Sequence, residues 1–348
     1  MPPHLGGSRH MSLSRRSLLH IGAAAAAVQI VPQAGCATAP ANASAEPLLA
    51  RITEQLLAAY PESATSAGID TGARAGLRVL LADRSASGQH AIAGQVRETV
   101  RQLRRIDAAA FSPETRIHLD VVRTVYEMAS EGFAFPYGDV AILNSNWSYR
   151  NAPYAVAQNV GAFVEIPSFL DSSHQVRSTT DADAYLLRME AYAGQLDGET
   201  ERVRAYGAAG VTLPDFLLDK CINQLRTARA APVEHWGIVT SLATRSANLS
   251  STYAASAARV AAEHIGPALD RQIAALEAQR SRATSDSGVW KLPRGEEYYA
   301  WALRAGTTTT MRAESPQGTA RGLGRAMKSL SALGRRAHRE YLPMPMPM

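Results

Sequence analysis

The chain has 348 residues, of which 46% are apolar and 6% aromatic, and this is enough for a folded core and excludes a wholly disordered protein. Its formal net charge of +5 would suit a nucleic-acid-binding protein, but the basic excess lies in residues 1–45 and 312–348, whereas residues 46–311 hold 26 basic and 29 acidic side chains. Because this body is slightly acidic and does not interleave Arg with aromatic residues, no nucleic-acid partner is expected.

An export signal is predicted at the N-terminus. Arg15 and Arg16 are followed by an alanine-rich apolar run that extends to Val31, and no acidic residue precedes Glu46. A pair of arginines before a modest apolar run is typical of twin-arginine signals, and this run is too short and too weakly apolar to span a membrane. We therefore expect residues 1–45 to be a signal peptide that the twin-arginine translocase reads, and the protein to be periplasmic or otherwise extracytoplasmic.

The end of the signal peptide can be interpreted in two ways. Cys36 follows an Ala-Gly pair, as in a lipoprotein processing site, where its sulfur would receive a lipid that tethers the protein. Gln33, however, stands where such sites usually carry an apolar residue. Cleavage after Ala39 or Ala45 would instead release a soluble periplasmic protein. Both outcomes stay open, and the membrane is expected as a partner only through such an anchor.

Amphipathic helices dominate the prediction for the body of the chain. From residue 46 to 60, apolar residues recur at three- and four-residue spacing, which predicts a helix that ends at Pro61. Ser112 and Asp181 are predicted to be the N-caps of later helices. No run alternates with period two for long enough to predict a strand, so the fold class is predicted to be all-α. Further helices are predicted at about residues 92–106, 113–131, 181–206, 214–229 and 249–279.

The segment 133–153 differs from the rest of the body, because it is rich in Gly, Pro, Asn and aromatic residues and includes Asn144 and Trp147. We interpret it as an ordered loop that crosses the helical body. Turn-forming Asn residues and a packing Trp explain this composition without a role in ligand binding. Since no internal repeat or linker interrupts the pattern, residues 46–311 are predicted to form a single large, irregular helical domain.

The body contains no complete metal or thiol site that can be identified from sequence. A helical zinc site would need two His residues four positions apart with a neighbouring Glu. Four histidines of the body lack a partner at that spacing, and each is expected to be a surface or helix-end residue. They are His118, His174, His235 and His264. Cys221 lies in an apolar stretch and is expected to be a small buried residue rather than a nucleophile.

Other enzyme classes leave no signature either. A Gly-x-Ser-x-Gly elbow of serine hydrolases is absent from the sequence. The glycine-containing stretch 207–210 follows a predicted helix and precedes Pro214, so it is interpreted as a helix stop and restart rather than a phosphate loop. Acidic pairs such as Glu296 and Glu297 lie at predicted helix starts, where the helix dipole favours them. The catalytic residues therefore stay unknown, and no cofactor is expected in this chain.

Four segments, taken in their order and spacing, resemble the bacterial domain of unknown function 885 (DUF885) family over roughly residues 46–311. They are residues 60–65 followed by 68–69, residues 154–161 followed by 167–170, residues 183–189, and residues 298–304 running into the threonines 307–309. Members of that family are often exported with twin-arginine or lipoprotein signals, which agrees with the N-terminal pattern.

The resemblance implies a large helical protein similar to zinc-dependent peptidases, with a His-Glu type metal motif well beyond the threonine-rich segment. No position of this chain matches that motif, so no metal ligand is carried over, and zinc is expected only in longer members of the family. Two hypotheses follow. The chain is either a truncated member that retains only substrate-side helices and is inactive as it stands, or a non-enzymatic periplasmic helical protein that binds a partner or peptide in the cleft that those helices leave. The expected substrate is a peptide or a small molecule.

Residues 312–348 depart from the family pattern. Asp, Val and Ile are absent from them, Arg is frequent, and the segment closes with alternating Pro and Met. This composition predicts a disordered basic tail. We interpret the change after Met311 as the product of a shifted reading frame or a decayed gene, and a genuine short form is the alternative.

Export is predicted to depend on Arg15 and Arg16, because the translocase reads the pair as an address and not as bulk positive charge. Replacing both with Lys keeps the charge and should leave the protein in the cytoplasm. Fractionation of cells that express the wild type and the double variant checks this. Equal periplasmic amounts of the two proteins would refute the twin-arginine assignment.

Overall fold

A computed structural model describes residues 45–143 and 151–308, and these divide into two units at Ser287. Within the described residues all regular structure is helical, apart from two isolated bridges that pair Asp139 with Ala152 and Ala157 with Val160. The all-α prediction is therefore confirmed. No helix in these two ranges combines the length and the apolar character that a membrane crossing requires.

Ten α-helices belong to the first unit: α1 Ala45–Ala59, α2 Pro61–Ser66, α3 Ala86–Arg104, α4 Pro113–Gly132, α5 Ala162–Ser172, α6 Thr179–Ala208, α7 Asp215–Ala230, α8 Gly237–Arg245, α9 Thr252–Val260 and α10 Gly266–Glu277. Short 3-10 turns lie at Gly72–Val79, Ala108–Ala110, Val233–His235 and Arg280–Arg282. The second unit has a 3-10 turn, Val289–Lys291, and one helix, α11 Gly295–Thr307. These counts refer to the part of the chain that the structure describes.

The helix starts follow the local sequence, with two corrections. Pro61 ends α1 as predicted, but it also occupies the first turn of α2, where its missing N–H costs nothing. The hydroxyl of Ser112 accepts from the N–H of Thr115, which confirms that N-cap. The N-cap of α6 is Ser178 and not Asp181. Asp181 stands three residues later, and its carboxylate completes a capping box with Ser178.

The helix predicted over residues 249–279 is interrupted in the structure by a π-helical turn, Ala261–Ile265, between α9 and α10. The N–H of Gly266 bonds to the carbonyl of Ala261, five residues back. Pro267 comes two residues after the end of this turn, and a proline ring conflicts with the carbonyl four residues earlier in a regular helix. A widened turn before the proline relieves that conflict.

Helix α6 lies at the centre of the first unit and packs against α3, α5, α9 and α10. Its 30 residues make it about 45 Å long. Tyr185, Met189 and Leu196 on α6 are fully buried, and they belong to one core together with Phe169 of α5 and Leu269 of α10. The hydroxyl of Tyr185 also donates to the carbonyl of Ile238, 2.9 Å away, at the start of α8. The other helices are thus arranged around α6.

Gly198 is predicted to be required for the contact between α6 and the start of α3. A Cβ at residue 198 would lie 2.9 Å from both the N and the Cα of Ser85, so backbone would have to move. Gly198→Ala should therefore lower the free energy of unfolding by about 1–3 kcal/mol, despite the higher helix propensity of Ala.

Gly194 offers a matched control on the same helix, since a Cβ there would meet nothing within 4 Å. Gly194→Ala should raise the free energy of unfolding by up to about 1 kcal/mol. Urea unfolding of both variants checks the pair. Equal effects of the two substitutions would contradict a steric requirement at Gly198.

Candidate functional site

A row of polar residues runs along α6 at intervals of seven. Asp181, Arg188, Gln195 and Arg202 are all buried, at 0–6% exposure. Seven residues make about two helical turns, so these side chains lie on one face of the helix. They contact residues 61–84, here called the strap, which comprises α2, the Gly72–Val79 turn and the extended residues that follow.

Arg188 is the centre of this row and is fully buried. Its guanidinium donates to the carbonyl of Leu77 at 3.0 Å, to the carbonyl of Leu80 at 3.0 Å and to the hydroxyl of Thr65 at 2.7 Å. The group also lies over the ring of Phe169, 4.9 Å from its centroid. Burial lowers the pKa of Arg188 to about 10, so the side chain keeps its charge at neutral pH. It fixes the middle of the strap.

The next two members of the row bind the end of the strap. The amide nitrogen of Gln195 donates to the carbonyl of Ala82 at 2.7 Å and to the carboxylate of Glu62 at 3.2 Å. Arg202 donates to the carbonyl of Arg84 at 3.2 Å and forms an ion pair with Asp139. Four strap carbonyls, those of residues 77, 80, 82 and 84, thus receive side-chain donors from α6.

His174 joins the row between α5 and α6 and is 1% exposed. A guanidinium can only donate, so the Nδ1 atom of His174, 2.8 Å from Arg188, must be an unprotonated acceptor. Its Nε2 atom then carries the proton and donates to the carbonyl of Asp181 at 2.9 Å. Burial lowers the pKa of His174 to about 4, and the positive charge of Arg188 adds to this. The imidazole is held in one neutral tautomer.

A second buried cluster fixes the start of α5. Arg84 forms ion pairs with Glu165 at 2.6 Å and with Glu199 at 2.9 Å. Both carboxylate oxygens of Glu199 accept from the N–H of Ala162, the first residue of α5. Burial raises the pKa of Glu199 to about 7, against the opposing effect of Arg84. Because Glu199 is 1% exposed and every contact is internal, this cluster acts as an anchor between α6 and α5.

A cleft of about 270 Å³ opens between the strap and the loop that joins α5 to α6. It is lined by Thr65, Gly68, Asp70, Thr71 and Arg78 of the strap and by Ser173, His174, Gln175 and Arg177 of the loop. Thr65, Asp70 and His174 are buried members of this lining, whereas Arg177 is exposed. We call this the strap cleft.

Arg78 ties the two walls of the strap cleft together. Its guanidinium binds both carboxylate oxygens of Asp70, at 3.1 and 3.2 Å, and one oxygen of Asp181, at 2.5 Å. The second oxygen of Asp181 accepts from the N–H groups of Arg177 and Ser178. Burial would raise the pKa of Asp181, but these donors outweigh it and hold the pKa below its ordinary value. The cleft is therefore preorganised.

The structure confirms the predicted burial of Cys221 and corrects the predicted position of His174. Arg15, Arg16 and Cys36 lie outside the described residues. Cys221 is fully buried, as predicted, and burial raises the pKa of its thiol to about 12, which leaves it unreactive. His174 was expected at the surface or at a helix end, and it is buried in the loop between α5 and α6 instead, because Arg188 and the carbonyl of Asp181 satisfy both ring nitrogens.

The other three histidines considered are exposed: His118, His235 and His264. No group of three or more His, Cys, Asp or Glu side chains that could hold a metal ion was found among residues 45–143 and 151–308. The polar row of α6 was not recognised in the sequence. Its seven-residue spacing was the signal, since polar residues at positions 181, 188, 195 and 202 share a face on any helix that contains them.

Comparisons with known proteins bear on the family to which the chain belongs. A family model described as bacterial protein of unknown function (DUF885) matches residues 61–324. The match thus begins at the first residue of the strap and continues past Met311, where the resemblance was expected to end. No match was found among curated proteins.

A solved structure shares the fold. It is the crystal structure of a protein described as a "putative lipoprotein" from Colwellia psychrerythraea, with a TM-score of 0.72 and 17% sequence identity. The alignment covers 79% of this chain and 47% of that protein, so the chain spans about half the length of the structure that it matches.

The buried neutral His174 predicts a loss of stability in acid. Its folded-state pKa of about 4 lies below the ordinary value of 6.5, so the unfolded chain takes up the proton first as the pH falls. The stabilisation is complete above pH 6.5 and is lost between pH 6.5 and 4. The loss should reach about 2 kcal/mol by pH 5, since each pH unit in this window is worth about 1.4 kcal/mol.

His174→Gln removes the titrating group and keeps an acceptor and a donor. Its unfolding free energy, measured in urea at pH 7, 6 and 5, should fall less with acid than that of the wild type. The exposed His264→Gln variant serves as the control and should retain the wild-type pH dependence. An unchanged slope in the His174 variant would disprove this assignment.

Proposed function

Because this chain belongs to the DUF885 family of bacterial proteins, we propose that it is an exported protein whose helical body is the substrate-side part of a hydrolase resembling zinc-dependent peptidases. In this proposal the body binds and positions a ligand and does not carry the metal itself. The observation that supports it is the extent of the structural match, in which 79% of this chain corresponds to 47% of a larger protein with the same fold.

The described residues do not fit a zinc site. A catalytic zinc needs three protein ligands around an open position, and no three candidate ligands converge in residues 45–143 and 151–308. The buried His174 has both ring nitrogens engaged in hydrogen bonds, so it could bind a metal only by giving up one of them. No chemical step is therefore assigned to a metal in this chain.

Residues of the helical body hold the strap cleft in one shape. Arg78 fixes its two walls, and Arg188 fixes the floor through Thr65 and His174. A site whose polar groups are oriented before a ligand arrives loses less conformational entropy on binding. A preformed recognition site is the contribution that we assign to this part of the protein.

Export and membrane attachment belong to the same proposal. The twin-arginine pair at Arg15 and Arg16 supports export, and the solved protein of the same fold is described as a "putative lipoprotein". Lipidation of Cys36 would tether the helical body to a membrane, whereas cleavage after Ala39 or Ala45 would release it. Both forms are compatible with a body that binds ligands outside the cytoplasm.

A second candidate function is a non-enzymatic periplasmic binding protein. The strap cleft favours it, because a preformed polar cleft can serve recognition without any catalytic group. The two candidates differ in what must accompany this body: the hydrolase needs metal ligands supplied by other residues, whereas the binding protein needs none.

The purified full chain is predicted to bind no stoichiometric zinc and to hydrolyse no peptide, because three zinc ligands do not converge in the described body. Metal analysis after dialysis against zinc, followed by assays on a peptide mixture with and without zinc, checks both points. One tightly held zinc per chain, or zinc-dependent hydrolysis, would overturn the assignment of a metal-free body.

A further inference from the structure

We propose that the strap cleft binds the anionic oxygen group of a small ligand, a carboxylate or a phosphate, with Arg177 supplying the charge and Arg78 supplying oriented donors. The inference rests on the proposed function to the extent that it assigns a ligand class to the same body. The carboxylate end of a short peptide is the ligand that this role suggests first.

The charges around the strap cleft are balanced, except for that of Arg177. Asp70 accepts from Arg78 and from the hydroxyl of Thr65, and Asp181 accepts from Arg78 and from two backbone N–H groups at the start of α6. The two negative charges of Asp70 and Asp181 are balanced by the positive charges of Arg78 and of the buried Arg188, which also acts on Asp70. The N-terminus of α6 further favours the charge of Asp181. His174 is neutral at pH 7. The charge of Arg177 is left uncompensated.

Arg177 is suited to receive an anion. Its side chain is exposed on the cleft wall, and it makes no ion pair with any residue in the described ranges. Its backbone is fixed nonetheless, because its N–H donates to Asp181 at 3.0 Å immediately before the N-cap of α6. The guanidinium therefore extends from an anchored position next to the opening.

Arg78 can add directed hydrogen bonds. A guanidinium has five N–H donors, and the bonds to Asp70 and Asp181 use three of them. Its side chain is 30% exposed, so part of the fork reaches the cleft. The two carboxylates hold the plane of the fork, and a planar fork matches a carboxylate or phosphate oxygen pair. The other polar groups on the lining are Thr71, Ser173 and Gln175.

The size of the cleft limits the ligand. About 270 Å³ lies just below the range of about 300–1,000 Å³ that is usual for drug-sized molecules. The cleft therefore admits a small anion or the end of a longer molecule, such as the last residue of a peptide. Apart from Gly68, every lining residue is polar or charged, so a large apolar anchor is not expected.

The test uses the full chain and three probes: N-acetyl-alanyl-alanine with a free carboxylate, the same peptide with an amidated C-terminus, and inorganic phosphate. Binding is followed by NMR titration at low ionic strength, where a charge contact is screened least. The wild type should bind the free acid more tightly than the amide. Arg177→Gln should weaken that binding by about tenfold, as expected for one charge-assisted hydrogen bond.

Arg204→Gln is the matched control. Arg204 is also exposed and lies on α6, about 35–40 Å from its start, since a helix rises 1.5 Å per residue. This variant should bind like the wild type. Competition between phosphate and the free acid would indicate one site, and the tighter of the two probes identifies the source of the anionic group.

Equal affinity for the acid and the amide together with no phosphate binding, an equal loss in the Arg177 and Arg204 variants, or no binding of any probe would each overturn the proposal. Zinc content and hydrolysis test the proposed function separately. A chain that binds the acid but also holds zinc would retain this inference and lose the metal-free assignment, so the two failures are distinguishable.

Discussion

The backbone carbonyls of the strap are the constraint on which the rest of this structure depends. Residues 77–84 lie in a short 3-10 turn and an extended stretch, so their carbonyls have few partners within the segment itself. The hydrogen bond to the carbonyl of Ala82 is buried and those to the carbonyls of residues 77, 80 and 84 are partly buried. A buried carbonyl left without a partner costs about 1–3 kcal/mol. Arg188, Gln195 and Arg202 provide that pairing from one face of α6.

Pairing the strap carbonyls with side chains of α6 places polar residues on a buried face of this central helix. Polar residues occupy positions that an ordinary helix of this kind would give to apolar ones, and each must find a partner of its own. Arg188 binds His174, and Arg202 binds Asp139, so the network extends from the strap to the α5–α6 loop and to the 133–143 segment. Removing one member would leave its partners buried and unsatisfied, which usually costs more than the contact contributes.

The strap cleft is a product of the same network. Its walls come from two segments that are far apart in the chain and are joined by Arg78, while its floor is held by Arg188 through Thr65 and His174. The charges in the rigid part of the site are thus balanced within the fold, and the charge that faces a ligand comes from Arg177 at the rim. A ligand can therefore be recognised at the rim without breaking the buried network. The family match also begins at Pro61, the first residue of the strap.

The sequence by itself determined the all-α class, the family and most of the helices, because amphipathic spacing and capping residues act locally. It also determined the burial of Cys221, whose neighbours are apolar. It did not reveal α5 and α8, whose residues are too uniformly apolar or too few to show a clear period, or the second role of Pro61 as a helix start. Only the tertiary structure decided the environment of His174 and the partners of Arg188. His174 is buried where Arg188 meets the strap, and the strap residues that Arg188 binds are more than 100 positions away along the chain. Such long-range hydrogen bonds depend on how the helices pack in space, so the local sequence pattern does not predict them.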